Sequence, residues 1–451
     1  MPSNPHDLRA FAKNSVPGKV ALNTESHPGW PAGAPDHYGP LPFLSGPGGI
    51  KGFLFDGNVP SQGLLKKPIG ACSNHVPALR PFFLSTLIPA AINSAMREES
   101  LKFLRTLVNT PSPVGHEVRG QRVWLDYAKQ FAEETFSDTY GNCVAVLNKG
   151  GSPRLMLAGH ADEIAMAVNY INEEGFLYVR RMGGVDAAIT KAQRVVIHTR
   201  EGPVKGVVGN VAPHLMKEEK EPKPPKIHDL FIDIGAADRK EAEKLVRIGD
   251  PITLVDEFDL LRNDLVVARA FDNRIGTFSV AEALRLIKES KTKVQAEVCA
   301  VSNVQEEVGL LGARQIAYSL KPDVALVVDV THATDYPTVN KAQHGDVKVG
   351  RGPALTHGGC NHPEVVARLE AVAKAKKIPL QHEAMSSTSG TDTDAIFWTR
   401  GGIASALISL PNRYMHSPVE LVSLKDLELI PELLAGFALS VKKGEEFKVK
   451  I

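Results

Sequence analysis

At 451 residues, 43% of them hydrophobic and 23% charged, the chain is too long for one ordinary core and has the makeup of a soluble globular protein of two domains plus an extension. Its 52 basic and 51 acidic residues leave a formal net charge of +1, which offers nothing to nucleic acid or an anionic membrane and leaves peptides or small metabolites as partners. Cys72, Cys143, Cys299 and Cys360 form neither a CxxC pair nor a disulfide framework, as expected of a reducing, cytoplasmic setting.

Residues 1–95 hold 14 of the 31 prolines and show no sustained period of 2 or 3.6. Such a stretch buries too little apolar surface to offset its ordering entropy. It reads as a Pro/Gly-rich extension, either an upstream over-translation of a protein starting at Met96 or a disordered regulatory arm. The apolar run at 82–92 contains Pro89 and is too short to span a bilayer. A chain shortened to begin at Met96 is expected to fold and stay active; insoluble or dead protein would place the segment inside the fold.

From Met96 the texture changes. Glu98 and Glu99 precede Leu101, Leu104, Leu107 and Val108 at helical spacing, and Pro111 and Pro113 end the run. A second helix carries Val123, Trp124, Tyr127 and Phe131, and short apolar strands follow at 143–147 and 154–160. Strands at 178–180, 195–198, 204–208, 230–232 and 252–255, parted by Gly, Asp and Pro, then predict a small barrel or sandwich near residues 166–264. After it the alternation of helix and strand returns, with helices at 276–288, 312–319 and 364–376 and strands at 294–301, 324–328 and 404–408. The expectation is a layered α/β domain, residues 96–165 and 265–451, interrupted by a β insert at 166–264.

The chemistry centres on residues 298–313, VCAVSNVQEEVGLLGA, where an apolar strand delivers Glu306 and Glu307 to its carboxyl end. Ligands bind outside the carboxyl ends of strands in open α/β sheets. Alone, the pair reads as a solvated turn favoured by a helix dipole, His160 as a structural histidine, and Asp272 as an N-cap. Company reverses those readings. His160, Asp272, Glu307, Asp329 and His416 together are the donor set for a pair of Zn, Co or Mn ions with one bridging carboxylate. Asp162 stands where it can orient His160, and Glu306 is left over as a general base beside a metal-bound water.

The segments GHADEIAMAV, ARAFDNRIG, QEEVGLLGA, VVDVTHATD, SGTDTDAI and RYMHSPVE resemble, in order and spacing, the M42 family of dinuclear metallo-aminopeptidases, the glutamyl and leucyl aminopeptidase group that assembles as large tetrahedral particles. The likeness runs from about Met96 to the carboxyl terminus. It implies one metal on His160 and Asp329 and another on Glu307 and His416, zinc first and cobalt or manganese next, with Asp272 bridging, Asp162 orienting and Glu306 as base. The insert would be a PDZ-like dimerisation domain, and the particle a homo-oligomer, a dodecamer built from dimers, acting on peptides in the cytoplasm. Gly159, Ala161, Ala165 and Met166 replace slightly bulkier residues, which bears on pocket shape. Gly390, Thr391 and Asp392 are expected to line the substrate pocket, although a tight turn before a helix explains them equally well.

Rival classes make distinct demands. A glycosidase would use two carboxylates but has no use for His160 and His416. A non-catalytic assembly protein holding structural metal has no use for Glu306. A dinuclear carboxypeptidase or deacylase is the nearer alternative, separated by blocking the substrate's amino terminus.

Overall fold

The computed structural model describes residues 96–215 and 224–451; the expectations for residues 1–95 lie outside these. Helices α1 (Glu98–Asn109) and α2 (Val118–Ala128) begin this part of the chain. Helix α1 buries Phe103, Leu104, Leu107 and Val108 on one stripe, and Phe103 stacks on Tyr127 of α2 with ring centroids 3.8 Å apart. Strands β1 (Glu134–Ser137), β2 (Cys143–Leu147) and β3 (Arg154–His160) follow.

The insert contributes β4 (Ala165–Ile171), β5 (Leu177–Met182), the short α3 (Ala187–Thr190), β6 (Arg194–His198), β7 (Pro203–Val208), β8 (Phe231–Asp233), α4 (Arg239–Leu245) and β9 (Pro251–Leu254). Its six strands close into a barrel in the order β4-β5-β8-β7-β6-β9, filled by Met166, Val168, Leu177, Val179, Val195, Ile197, Ile232 and Ile252. Closure pairs every strand with two neighbours, so the barrel hides its own edges. Met166 packs in this core rather than shaping a pocket.

Then come β10 (Asp259–Leu260), β11 (Leu265–Ala268), α5 (Phe271–Glu289), β12 (Glu297–Asn303), α6 (Leu311–Leu320), β13 (Val324–His332) and α7 (Lys341–His344). The chain ends through β14 (Ala354–His357), α8 (Pro363–Lys376), β15 (Gln381–Ala384), α9 (Thr393–Ile396), β16 (Ala404–Asn412), β17 (Glu420–Ser423) and α10 (Leu424–Ser440). The large sheet has eight strands in the order β1-β2-β12-β3-β13-β16-β14-β15. The four inner strands from β12 to β16 run parallel, while β10, β11 and β17 form a separate antiparallel sheet.

Alternation along β3 and β12 builds two cores at once. Leu155, Leu157, Val298 and Ala300 face the layer that includes α1, α2, α5 and α10, whereas Met156, Ala158, Cys299 and Val301 face α6 and α9. Strands buried on both faces read as unbroken apolar runs, which is how they appear in the sequence. Strand β13 runs four residues beyond the expected 324–328 because β16 pairs with it as far as His332↔Asn412, so Asp329 lies within the strand. Gly159 presses on the helix above it: a Cβ there would come within 2.5 Å of the Gly276 backbone. That glycine serves the close approach of α5 to the sheet, not pocket shape. Among the described residues no helix is long and apolar enough to cross a membrane.

Candidate metal centre

Because β12, β3 and β13 lie side by side and parallel, their carboxyl ends open on one crevice. His160 ends β3 opposite Asn303, which ends β12, and Glu306 and Glu307 occupy the turn after it. Asp329 comes from β13 and His416 from the loop between β16 and β17. Asp272 comes from the start of α5, where it (φ −78°, ψ 104°) and Asn273 (φ −123°, ψ 48°) depart from helical geometry. Ala270 occupies the cap position, so Asp272 is released from the capping role its sequence position suggests.

Asp272 joins the two halves of the cluster. Its Oδ1 lies 3.3 Å from His160 Nε2, and its Oδ2 lies 3.2 Å from His416 Nε2. His160 Nε2 also faces Glu306 Oε2 at 3.8 Å and Asp329 Oδ1 at 3.9 Å, and His416 Nε2 faces Glu307 Oε2 at 3.5 Å. The triads His160–Asp272–Asp329 and Asp272–Glu307–His416 each place their donor atoms within 4.8 Å of one another. Asp162 sits behind them. Its Oδ1 is 3.4 Å from His160 Nδ1, and its carboxylate accepts the backbone N–H groups of Glu306 at 3.0 Å and Glu307 at 3.1 Å. One side chain thus backs an imidazole and pins the turn that carries both acids.

So many acids in so dry a place disturb one another's protonation. Burial pushes the Glu306 carboxyl up to about 10 against the pull of His160, with Asp329, Asp392 and Glu307 adding to the rise. Burial also raises Asp329 well above the carboxylate range, with Asp272 and Asp392 adding to it. Burial disfavours charge on His160, but Glu306, Asp162 and Asp272 outweigh it and hold the imidazole well above its ordinary value. His416 is likewise raised to about 11, burial being overcome by Asp272 and Glu307. Divalent cations relieve this crowding, and imidazole with carboxylate suits zinc, cobalt or manganese. Glu307 Oε1 is buried with no hydrogen-bond partner among the described residues, an unmet lone pair that an ion satisfies. The residues fit metal.

A family model for M42 glutamyl aminopeptidases matches residues 141–433. The chain belongs to the M42 glutamyl aminopeptidase family. It is an aminopeptidase, a hydrolase of peptide bonds. A putative aminopeptidase of Acetivibrio thermocellus is 37% identical over 340 residues, covering 75% of this chain and 98% of that one. The crystal structure of a TET aminopeptidase from Thaumarchaeota archaeon SCGC AB-539-E09 superposes with a TM-score of 0.72 at 34% identity, covering 76% of this chain and 96% of that chain. The TET1 peptidase of Pyrococcus horikoshii, described as assembling into a tetrahedron or a large octahedral shell, superposes with a TM-score of 0.68 at 29% identity over 76% of this chain and all of that one.

Two features of this M42 aminopeptidase escaped the sequence. Glu420, the first residue of β17, accepts the backbone N–H of Asp272 through Oε2 and that of His416 through Oε1, both at 2.9 Å. It fixes the backbones of two facing donors, and its only signal was an acid at the end of RYMHSPVE. A narrow cleft lined by Ile164, Leu254, Arg269, Glu307, His416 and Pro418 also brings the barrel, through Leu254, to the edge of the centre. Gly390, Thr391 and Asp392 follow Ser389 in a turn. The Ser389 and Gly390 N–H groups both donate to Asp394, making the tight turn before α9. Gly390 is exposed, while Asp392 is fully buried and takes 2.6 Å from Asn303 Nδ2. Burial pushes Asp392 up to about 6 against the pull of His160 and Asn303.

Proposed function

We propose that this aminopeptidase is dinuclear, with His160 and Asp329 holding one ion, Glu307 and His416 the other, and Asp272 shared. The observation that carries this reading is that the two Asp272 oxygens face different histidines. When bound, the ions, zinc first and cobalt or manganese next, supply Lewis acidity for the scissile carbonyl and make water a nucleophile at neutral pH. Glu306 Oε2 takes the proton from the attacking water and passes it to the leaving amine. Asp162 holds His160 and the Glu306–Glu307 turn, and Glu420 holds Asp272 and His416. The peptide's free amino end is read by the carboxylates of the centre, and Thr391 and Asp392 support its pocket from behind.

The test is hydrolysis of aminoacyl p-nitroanilides. Chelation is expected to abolish it and zinc, cobalt or manganese to restore it, while N-acetylated substrates stay uncut. Chelator-resistant turnover overturns the metal reading, and cleavage of acetylated substrate in preference to free overturns the exopeptidase reading.

The barrel fits a PDZ-like dimerisation role, with residues 166–264 forming the insert of an α/β domain comprising 96–165 and 265–451. The tetrahedral assembly described for the Pyrococcus horikoshii relative supports a dodecamer built from dimers here, confining the centres in the cytoplasm and admitting short peptides. Light scattering is expected to return a mass near twelve chains; a monomeric mass at micromolar concentration overturns the assembly.

A further inference from the structure

A second group of donor atoms lies outside the crevice. His357 ends β14, His382 sits on the neighbouring strand β15, and Glu370 projects from α8. One donor atom from each falls within 4.8 Å of the others. His357 Nε2 and His382 Nδ1 are 2.8 Å apart, and His357 Nε2 is 4.0 Å from Glu370 Oε1. None of the three belongs to the groups around Asp272. Strand β14 runs antiparallel to β16, which is itself parallel to β13, so its carboxyl end heads away from the carboxyl ends that carry the metal centre.

We propose that His357, Glu370 and His382 form a separate divalent-cation site of the zinc class. Two imidazoles and a carboxylate are a donor set that zinc accepts, with a fourth position left to water or an exchangeable ligand. In the present contact one ring nitrogen donates a proton and the other accepts it; when an ion enters, the donor ring carries that proton on its other nitrogen, and both lone pairs face the ion. Tetrahedral ligation with bonds of about 2.0–2.1 Å separates two nitrogens by roughly 3.3 Å. Opening the pair by about half an ångström is a small rotation for side chains at the surface, and Glu370 is exposed enough to swing in. Strand β15 is the outermost strand of the large sheet. An ion here ties that edge and its neighbour to α8, clamping a part of the sheet that has only one paired side.

The rival is a histidine pair that merely hydrogen-bonds across two strands. Equilibrium dialysis of the full-length, metal-loaded protein against Zn²⁺ separates the two. Wild type is expected to take up one more ion per chain than either His382→Ala or His357→Asn, counted by mass spectrometry. Added zinc is also expected to raise the melting temperature of wild type and leave both variants unmoved, because only a ligand bound by the native state stabilises it. Without added zinc the variants should melt with wild type and hydrolyse aminoacyl p-nitroanilide at the wild-type rate, which shows the metal centre intact. Equal zinc uptake by wild type and both variants overturns the proposal.

Discussion

Glu306→Gln is expected to keep both metal ions and the native assembly while turnover falls by two or more decades. The reason lies in how differently two adjacent acids are placed. Glu306 Oε2 looks toward His160 and neighbours Asp329 and Asp392 electrostatically, and as the base it must gain and release a proton in every cycle. An amide of the same shape does neither, and losing a general base costs roughly 10²–10⁴ in rate. Glu307 instead faces His416 and carries the unpartnered Oε1. Glu307→Gln should weaken one ion and lose activity that excess metal partly restores. Metal content measured beside kcat decides the matter. Should Glu306→Gln lose an ion and Glu307→Gln keep both, the roles are exchanged; full activity in both variants places the chemistry elsewhere.

Glu163→Gln should destabilise the fold by about 3–5 kcal/mol, the range for breaking a buried ion pair from one side. Glu163 is buried between two guanidiniums: Oε1 takes Arg274 Nη2 at 2.9 Å, and Oε2 pairs with Arg269. Arg274 has no solvent exposure, and its other contacts are the carbonyls of Ala161 and Thr110. Taking the negative charge away leaves both cations without the buried carboxylate that pairs them. Burial opposes ionisation of Glu163, yet Arg269 and Arg274 pull its pKa down from 4.5 to about 2. A depressed native pKa stabilises fully above the unfolded value, and the gain is lost as pH falls from about 4.5 toward 2. Wild type should therefore lose stability steeply across that window, while Glu163→Gln starts lower and falls less. Urea midpoints at pH 7 and pH 3 measure both effects. A variant less than about 1 kcal/mol below wild type at pH 7 shows that this pairing contributes little to the stability of the fold.

The sheet was legible because strands covered on both faces write themselves as apolar runs, and the acids and histidines just past those runs stand out. Other parts left weaker marks. Strand β4 is half-exposed at Asn169 and Tyr170 and carries a register shift between Val168 and Tyr170, so its alternation breaks where a reader would look for it. Helix α4 buries only Ala242 and is held by its Asp238 cap. Glu420 looks like a surface acid until folding sets β17 beneath Asp272 and His416. Asp392 was readable as a polar residue in a small-residue turn, but nothing along the chain signals that it ends up sealed from solvent.

The barrel enters and leaves the host domain through strands that touch. Met166 of β4 is paired with Ile252 of β9 and Ala167 with Pro251, so the two junctions are only about 5 Å apart, one ladder spacing. To the α/β domain the whole insert is equivalent to a tight hairpin loop. Such a module can be exchanged between relatives without redrawing the host's topology, and each exchange would replace Leu254 at the rim of the cleft. Diversification of what enters the centre can then proceed by swapping a self-contained cassette, while His160, Asp272 and their supports stay untouched in the sheet that carries them.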